Sequence, residues 1–197
     1  MTEKEKREAG LLYDANYNPE LTQELLACKD LCFEYNRIRP SHEQEQRALL
    51  RKILGKTGES IVIRSPFWCD FGYNIEVGEN FYVNHGCVIL DCAKVIFGDN
   101  VFIAPNCGFY TAGHPLDVEQ RNQGLEFARP ITVGDNVWIG ANVAVLPGVT
   151  IGSGSVIAAG SVVNRDVPPG VIAAGNPCRV LREITEADKA RYRRREA

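Results

Sequence analysis

No run in this chain approaches the roughly 18 consecutive apolar residues of a membrane span, and the start MTEKEKREAG is too charged for a secretory signal. The expectation is therefore a cytoplasmic protein with no membrane partner. The seven cysteines, Cys28, Cys32, Cys69, Cys87, Cys92, Cys107 and Cys178, lack the paired CxxC spacing of a zinc site. Several fall at apolar positions, where a free thiol packs as a small hydrophobe, so they read as core thiols of a reducing compartment and not as disulfides or metal ligands. Histidine is scarce: His42, His85 and His114 are the only three. Strong charge is missing as well. At a net charge of −3 the chain has no basic balance for nucleic acid, and the RYRRRE run near its end reads as a solvated helix face. A length of 197 residues leaves room for one full domain and a small appendage.

Residues 1–58 carry helical periodicity. In NPELTQELLACKDLCFEYNRIRP, residues Leu21, Leu25, Leu26, Cys28, Cys32 and Phe33 recur near three and four apart, which predicts an amphipathic helix ended by Pro40. SHEQEQRALLRKILG predicts a second helix, with Ser41 as N-cap and an apolar stripe of Leu49, Leu50, Ile53 and Leu54 ahead of Gly55 and Gly58. EKEKREAGLLYDAN supplies a short third helix, and together these form an N-terminal helical cap.

Residues 59–184 follow another rule, clearest from about residue 71: the chain repeats every six residues. VGDNVW, IGANVA, VLPGVT, IGSGSV, IAAGSV and VNRDVP put Val133, Ile139, Val145, Ile151, Ile157 and Val163 in first place. The fifth place holds Val137, Val143, Val149, Ser155, Ser161 and Val167. Neither an α-helix nor a flat strand has that period. A short strand followed by a sharp bend, three times per turn, does; the first place then points into a narrow prism, and Gly or Asn takes the bend with positive φ. The same phase holds at Val77, Val83 and Ile89, slips by two near KVI, and resumes at Phe97, Ile103 and Phe109. Residues 111–130, TAGHPLDVEQRNQGLEFARP, break the pattern and read as a loop that leaves one corner of the prism and returns in register. His114 stands at the root of that loop. Residues 185–197 read as a short C-terminal helix and tail.

The hexapeptide repeat, the TAGHP histidine, the ITVGDNVWIGANVAVLPGVTIG run, the closing VIAAGNPCRVLREI and the N-terminal KEKREAGLLYDAN together resemble the sugar O-acetyltransferases typified by maltose and galactoside acetyltransferases. The similarity covers nearly the whole chain. It implies a mainly β protein, a left-handed parallel β-helix with an N-terminal helical cap, assembled as a homotrimer. It also implies acetyl-CoA as donor, no metal, and direct attack in a ternary complex by the 6-hydroxyl of glucose, maltose or a related glycoside.

The chemistry selects residues in the same sense. An alcohol that attacks a thioester must lose its proton, and a neutral imidazole is the side chain matched to that work near pH 7. His114 is the candidate, and it matches the histidine that serves the family as general base. A carbonyl turning tetrahedral needs hydrogen-bond donors. Asn84 matches the family asparagine assigned to that role, and the amide of Ala141, where family members can carry serine, matches the position beside the thioester. Carboxylates suit sugar hydroxyls; on the acceptor side the resemblance maps Asp14, Asp70, Asn84, Asp91 and Glu126. Asp70 stands where the galactoside type has serine and Glu126 where it has methionine, which leans toward the maltose type. On the donor side Trp138 walls the thioester end, Ala141 and Ala159 form the floor, and Asn164, Arg165, Arg179 and Arg182 supply the polar and basic groups that CoA phosphates require.

His85, in VNHGC, reads as a structural or rim residue, and His42 as cap surface. Three other readings share parts of the pattern. A γ-type carbonic anhydrase needs three histidines converging on zinc. A non-catalytic β-helix subunit has no use for Asp14, Asn84, Asp91, His114 and the basic ending together. An acetyltransferase of serine or an antibiotic would differ in its acceptor contacts and would not call for the cap.

Overall fold

The computed structural model describes residues 1–191; the rest of the RYRRRE run and the tail lie outside the described residues. Three parallel sheets form the walls of a triangular prism. The first wall stacks Ile61–Ile63, Phe81–Val83, Phe102–Ile103, Trp138–Ile139, Val156–Ile157 and Val171–Ala174, with Arg179–Glu183 added antiparallel at its edge. The second stacks Phe67–Cys69, Cys87–Leu90, Gly108–Tyr110, Ala144–Val145 and Val162–Val163. The third stacks Ile75–Val77, Val95–Phe97, Ile131–Val133 and Thr150–Ile151.

The hexad pattern explains the interior. All six first-place residues from Val133 to Val163 are buried, and so are all six in the fifth place. The residue just before five of the six buried fifth places, Asn136, Asn142, Gly148, Gly154 or Gly160, has positive φ, which Asn and Gly tolerate best; Asp166, before Val167, is the exception. The second-place glycines serve a different end: a Cβ at Gly140 would stand 2.6 Å from the Ala159 amide nitrogen of the next coil. Ser155 and Ser161 are buried without being orphaned, because their hydroxyls donate to the carbonyls of Pro168 at 2.8 Å and Ala158 at 2.6 Å.

Departures from the repeat gather at one place. Ile61 pairs with Phe81 and Phe67 with Cys87, twenty positions on, whereas Thr132 pairs with Thr150, eighteen on. The longer coils hold their extra residues around Asp70–Asn74 and Asp91–Lys94, both between the second and third walls. The sequence displayed only the upper of these slips, near KVI. The lower one comes before the repeat is established, so no prior phase marks it. The excursion at 111–130 leaves from this same corner.

That excursion is not an irregular loop. Ala112–Gly113 and Leu125–Ala128 pair as antiparallel strands, and Tyr13–Asp14 from the N-terminal cap adds a third, with Tyr13 opposite Glu126 and Asp14 opposite Leu125. The cap consists of α1 (Glu3–Glu8), α2 (Pro19–Arg37) and α3 (Glu43–Ile53), and the excursion carries α4 (Val118–Asn122). Thr2 and Glu5 close a capping box on α1, and Asn18 with Pro19 starts α2. The expected Ser41 cap of α3 is corrected: His42 is the N-cap, with no side-chain capping bond, and its Nδ1 lies 3.1 Å from Glu45. Leu26 and Phe33, expected on the buried stripe of α2, face outward, while Leu21, Cys28, Cys32 and Tyr35 are buried. A short 3₁₀ helix, Glu186–Arg191, stands where the C-terminal helix is expected. No helix among the described residues is long and apolar enough to cross a membrane.

Candidate active site

The corner between the second and third walls collects the acidic candidates. Asp91 is fully buried, and its carboxylate accepts backbone N–H groups from Asp70 at 3.0 Å, Phe71 at 2.9 Å and Asn74 at 3.3 Å. Those bonds shape the Asp70–Asn74 bulge and occupy the carboxylate. The carboxylate that the resemblance maps to the sugar side thus has both oxygens engaged by the backbone that carries Asp70. Burial raises the Asp91 carboxyl to about 6, against the pull of the backbone N–H groups. Burial also pushes Asp70 and Glu126 up.

His114 joins this corner through the hairpin. Its Nδ1 lies 3.1 Å from the Leu125 carbonyl, and its Nε2 lies 3.7 Å from Glu126 Oε1. A carbonyl can only accept, so in the neutral ring the tautomer with the proton on Nδ1 fits this contact and leaves the lone pair on Nε2. Glu126 is held in turn by the buried Tyr13, whose hydroxyl donates to Oε2 at 3.1 Å. Asp14 pairs opposite Leu125, and its Oδ1 accepts the N–H groups of Asn16 and Tyr17. The Cys92 thiol points at Asp70 Oδ2 from 3.7 Å. Tyr13 and Cys92 were not singled out from the sequence; in LLYDAN and LDC they look like core residues, and the pairing of Tyr13–Asp14 with Leu125–Ala128 brings Tyr13 to Glu126 while the adjacent bulges bring Cys92 to Asp70.

Asn84 lies elsewhere. It follows Phe81–Val83 at the corner between the first and second walls, one coil below Ala104, with Ala141 and Ala159 at the same corner above. Its Oδ1 accepts the His85 N–H at 2.8 Å, which leaves its NH₂ group as the donor it can offer. His85 is anchored through Nδ1 to the Ser65 carbonyl, in keeping with a structural or rim role. No acceptor among the described residues takes the Ala141 N–H.

Beside that corner, paired outer positions on the first wall form a column of Tyr82, Phe102, Trp138, Val156, Ile172 and Arg182. Trp138 is 56% exposed. A groove of about 480 Å³ runs here past Ala104, Trp138, Ala141, Ala159, Ile184 and Asp188. Its floor of small and apolar residues suits a long apolar arm, and Asp188, the charged residue in its lining, is held by Arg182. Arg182 forks onto Asp188, with Nη1–Oδ2 at 2.8 Å and Nη2–Oδ1 at 2.7 Å, while Arg179 donates to the Cys178 carbonyl. Asn164 and Arg165 are exposed beyond Val162–Val163, at the far end of the second wall from Ala141 and Ala159.

The candidates thus divide into two groups at two corners of one prism, and Asn164 and Arg165, expected on the donor side, leave the second wall toward the acidic corner and not toward the one that holds Ala141 and Ala159. Asp14, Asp70, Asp91, His114 and Glu126 share one corner; Asn84, Trp138, Ala141, Ala159, Arg179 and Arg182 border the other. His85 and His114 fall on different sides of this division, so one chain does not bring them together as zinc ligands.

Comparison with known proteins follows the same division of the chain. Residues 6–58 match the maltose acetyltransferase hexapeptide capping motif, and residues 130–165 match the bacterial transferase hexapeptide family of six repeats. The chain is 56% identical to the Saccharomyces cerevisiae protein YJL218W, provisionally named an acetyltransferase, over 91% of both proteins. A galactoside acetyltransferase solved in complex with coenzyme A is 42% identical, superimposes with a TM-score of 0.94, and is matched over 99% of this chain and 97% of its own. A maltose O-acetyltransferase from Clostridium difficile is 47% identical with a TM-score of 0.91, over 94% of this chain and 99% of its own. At that similarity over nearly its whole length, the chain belongs to the hexapeptide-repeat acetyltransferases of the maltose and galactoside O-acetyltransferase type, whose fold is the left-handed parallel β-helix.

Proposed function

We propose that the protein moves the acetyl group of acetyl-CoA to a hydroxyl of a small sugar, the 6-hydroxyl of glucose, maltose or a related glycoside, at a site shared by two chains of a homotrimer. The observation that carries this reading is the fixed imidazole: with Nδ1–H on the Leu125 carbonyl, His114 offers an unprotonated Nε2 beside Glu126 at the acid-lined corner. The coenzyme A complex of the galactoside acetyltransferase supports the donor.

In this mechanism the sugar hydroxyl gives its proton to Nε2 as its oxygen attacks the thioester carbonyl. Nδ1 stays bonded to Leu125, so the imidazole does not turn as it gains charge. The NH₂ of Asn84, whose Oδ1 is taken by the His85 N–H, and the N–H of Ala141 receive the developing oxyanion. The tetrahedral species then expels the CoA thiolate, which recovers the proton from His114. Asp70, Asp14 and Glu126 orient sugar hydroxyls, and the groove beside Trp138 takes the CoA arm.

A panel of mono- and disaccharides supplied with acetyl-CoA, followed by free thiol release, tests the reading. Turnover is expected with a glucose-type sugar. Turnover with serine or an antibiotic amine and with no sugar would overturn it.

A further inference from the structure

The cap meets the first coil at three sulfurs that the acetyl transfer does not use. Cys28 and Cys32 lie one turn apart on the buried face of α2, and Cys69 ends the strand Phe67–Cys69 against them. Cys69 Sγ is 3.5 Å from Cys28 Sγ and 3.6 Å from Cys32 Sγ, and all three sulfurs lie within 4.8 Å of one another. None of the three residues is more than 5% exposed. A helix pair four residues apart with its third member in a strand far along the chain has no CxxC signature, so the sequence scattered these cysteines through the core.

A metal ion about 2.3 Å from each of three sulfurs sets the sulfurs roughly 3.8 to 4.0 Å apart. Two sides of the observed triangle, 3.5 and 3.6 Å, lie within about half an ångström of that spacing, and the third is no longer than 4.8 Å.

The geometry points to a buried three-sulfur site for a soft d¹⁰ cation, with Cu(I) the ion that fits, tying α2 to the first coil of the prism. Sulfur ligands select soft ions. Among the described residues no fourth His, Cys, Asp or Glu joins the group, whereas structural zinc takes four ligands. Asp91 acts on Cys28 by its charge, but its carboxylate already holds three backbone N–H groups. Metal entry releases to solvent protons that the sulfurs carry. Because Cys69 directly precedes Asp70, a bound ion would brace the base of the acceptor corner.

The full-length chain is refolded anaerobically with equimolar Cu(I), with equimolar Zn(II), or without metal, then desalted against a competing chelator. Metal per chain, X-ray absorption and melting temperature are measured. One copper per chain, a shell of three sulfurs and a raised melting temperature are expected; Cys32→Ser and Cys69→Ser should lose the copper, and Cys107→Ser, elsewhere in the core, should keep it. Copper retained by Cys32→Ser or Cys69→Ser, none retained by the wild type, or zinc held equally firmly would overturn the assignment. If a serine variant fails to fold, the sulfur count of the wild-type copper shell decides by itself.

Discussion

His114 is the residue on which the proposed chemistry turns, and its surroundings limit what replacement does. Its ring is half exposed and makes one bond to a backbone carbonyl, so its loss leaves the prism core untouched. His114→Ala is expected to fold normally and to lose about 10²- to 10⁴-fold in turnover, the usual share of a general base. The loss should fall on kcat, and near wild-type kcat in steady-state assays would remove His114 from the mechanism. Asp91 makes a contrasting case, since its effect is on stability. Its folded carboxyl titrates at about 6 against an ordinary 3.8, so the native state holds the proton more tightly than the unfolded chain. The stability linked to this group is fully present below about pH 4 and is lost as pH rises through 6. Asp91→Asn cannot ionise and removes that dependence. Urea unfolding of both proteins should therefore show the wild type losing stability relative to the variant between pH 4 and 6.5; a constant or widening wild-type advantage would exclude the buried carboxyl as its source.

At the scale of elements, the prism was legible because its constraint is local and repeated. Each hexad asks for an aliphatic residue in first place, which Val133 to Val167 supply six times, and for Asn or Gly before the fifth, which they supply five times, Asp166 being the exception. The acceptor corner was legible only in outline. His114 stands out as a histidine at a break in the repeat, but its partners Glu126 and Tyr13 come from strands that meet only when the cap lies against the hairpin. The bulge at Asp70–Asn74 and the outward turn of Leu26 and Phe33 depend on such long-range contacts too. At the donor groove, resemblance supplied Arg179 and Arg182, and the column from Tyr82 to Arg182 supplies their physical reason: the first wall ends in basic side chains at its last strand. Arg179→Ala and Arg182→Ala should each raise the KM for acetyl-CoA more than the KM for sugar, since phosphate contacts lie far from the reacting carbonyl. Initial rates with each substrate varied in turn would reveal this, and unchanged acetyl-CoA kinetics would take both arginines out of the donor site.

The whole molecule poses a question of distance that a single chain does not solve. Asn84 and Asp91 flank the strand Cys87–Leu90 in the second wall, and at about 3.3 Å per residue the two corners stand on the order of 15 to 20 Å apart. A general base must come within hydrogen-bond reach of the hydroxyl it activates, so His114 cannot serve a thioester held beside Asn84 of its own prism. A ring of three chains removes the difficulty, because the donor corner of each can meet the acceptor corner of the next in one repeated contact. His114→Ala and Asn84→Ala chains are each expected to be inactive alone. Unfolded together and refolded, they should form mixed trimers in which some interfaces pair an intact His114 with an intact Asn84, and activity should return above that of either parent. The same mixture of a chain carrying both substitutions with wild type gives the reference for random assembly. A protein that stays monomeric in solution, or verified mixed trimers with no recovered activity, would place both groups in one chain and contradict the separation of the two corners.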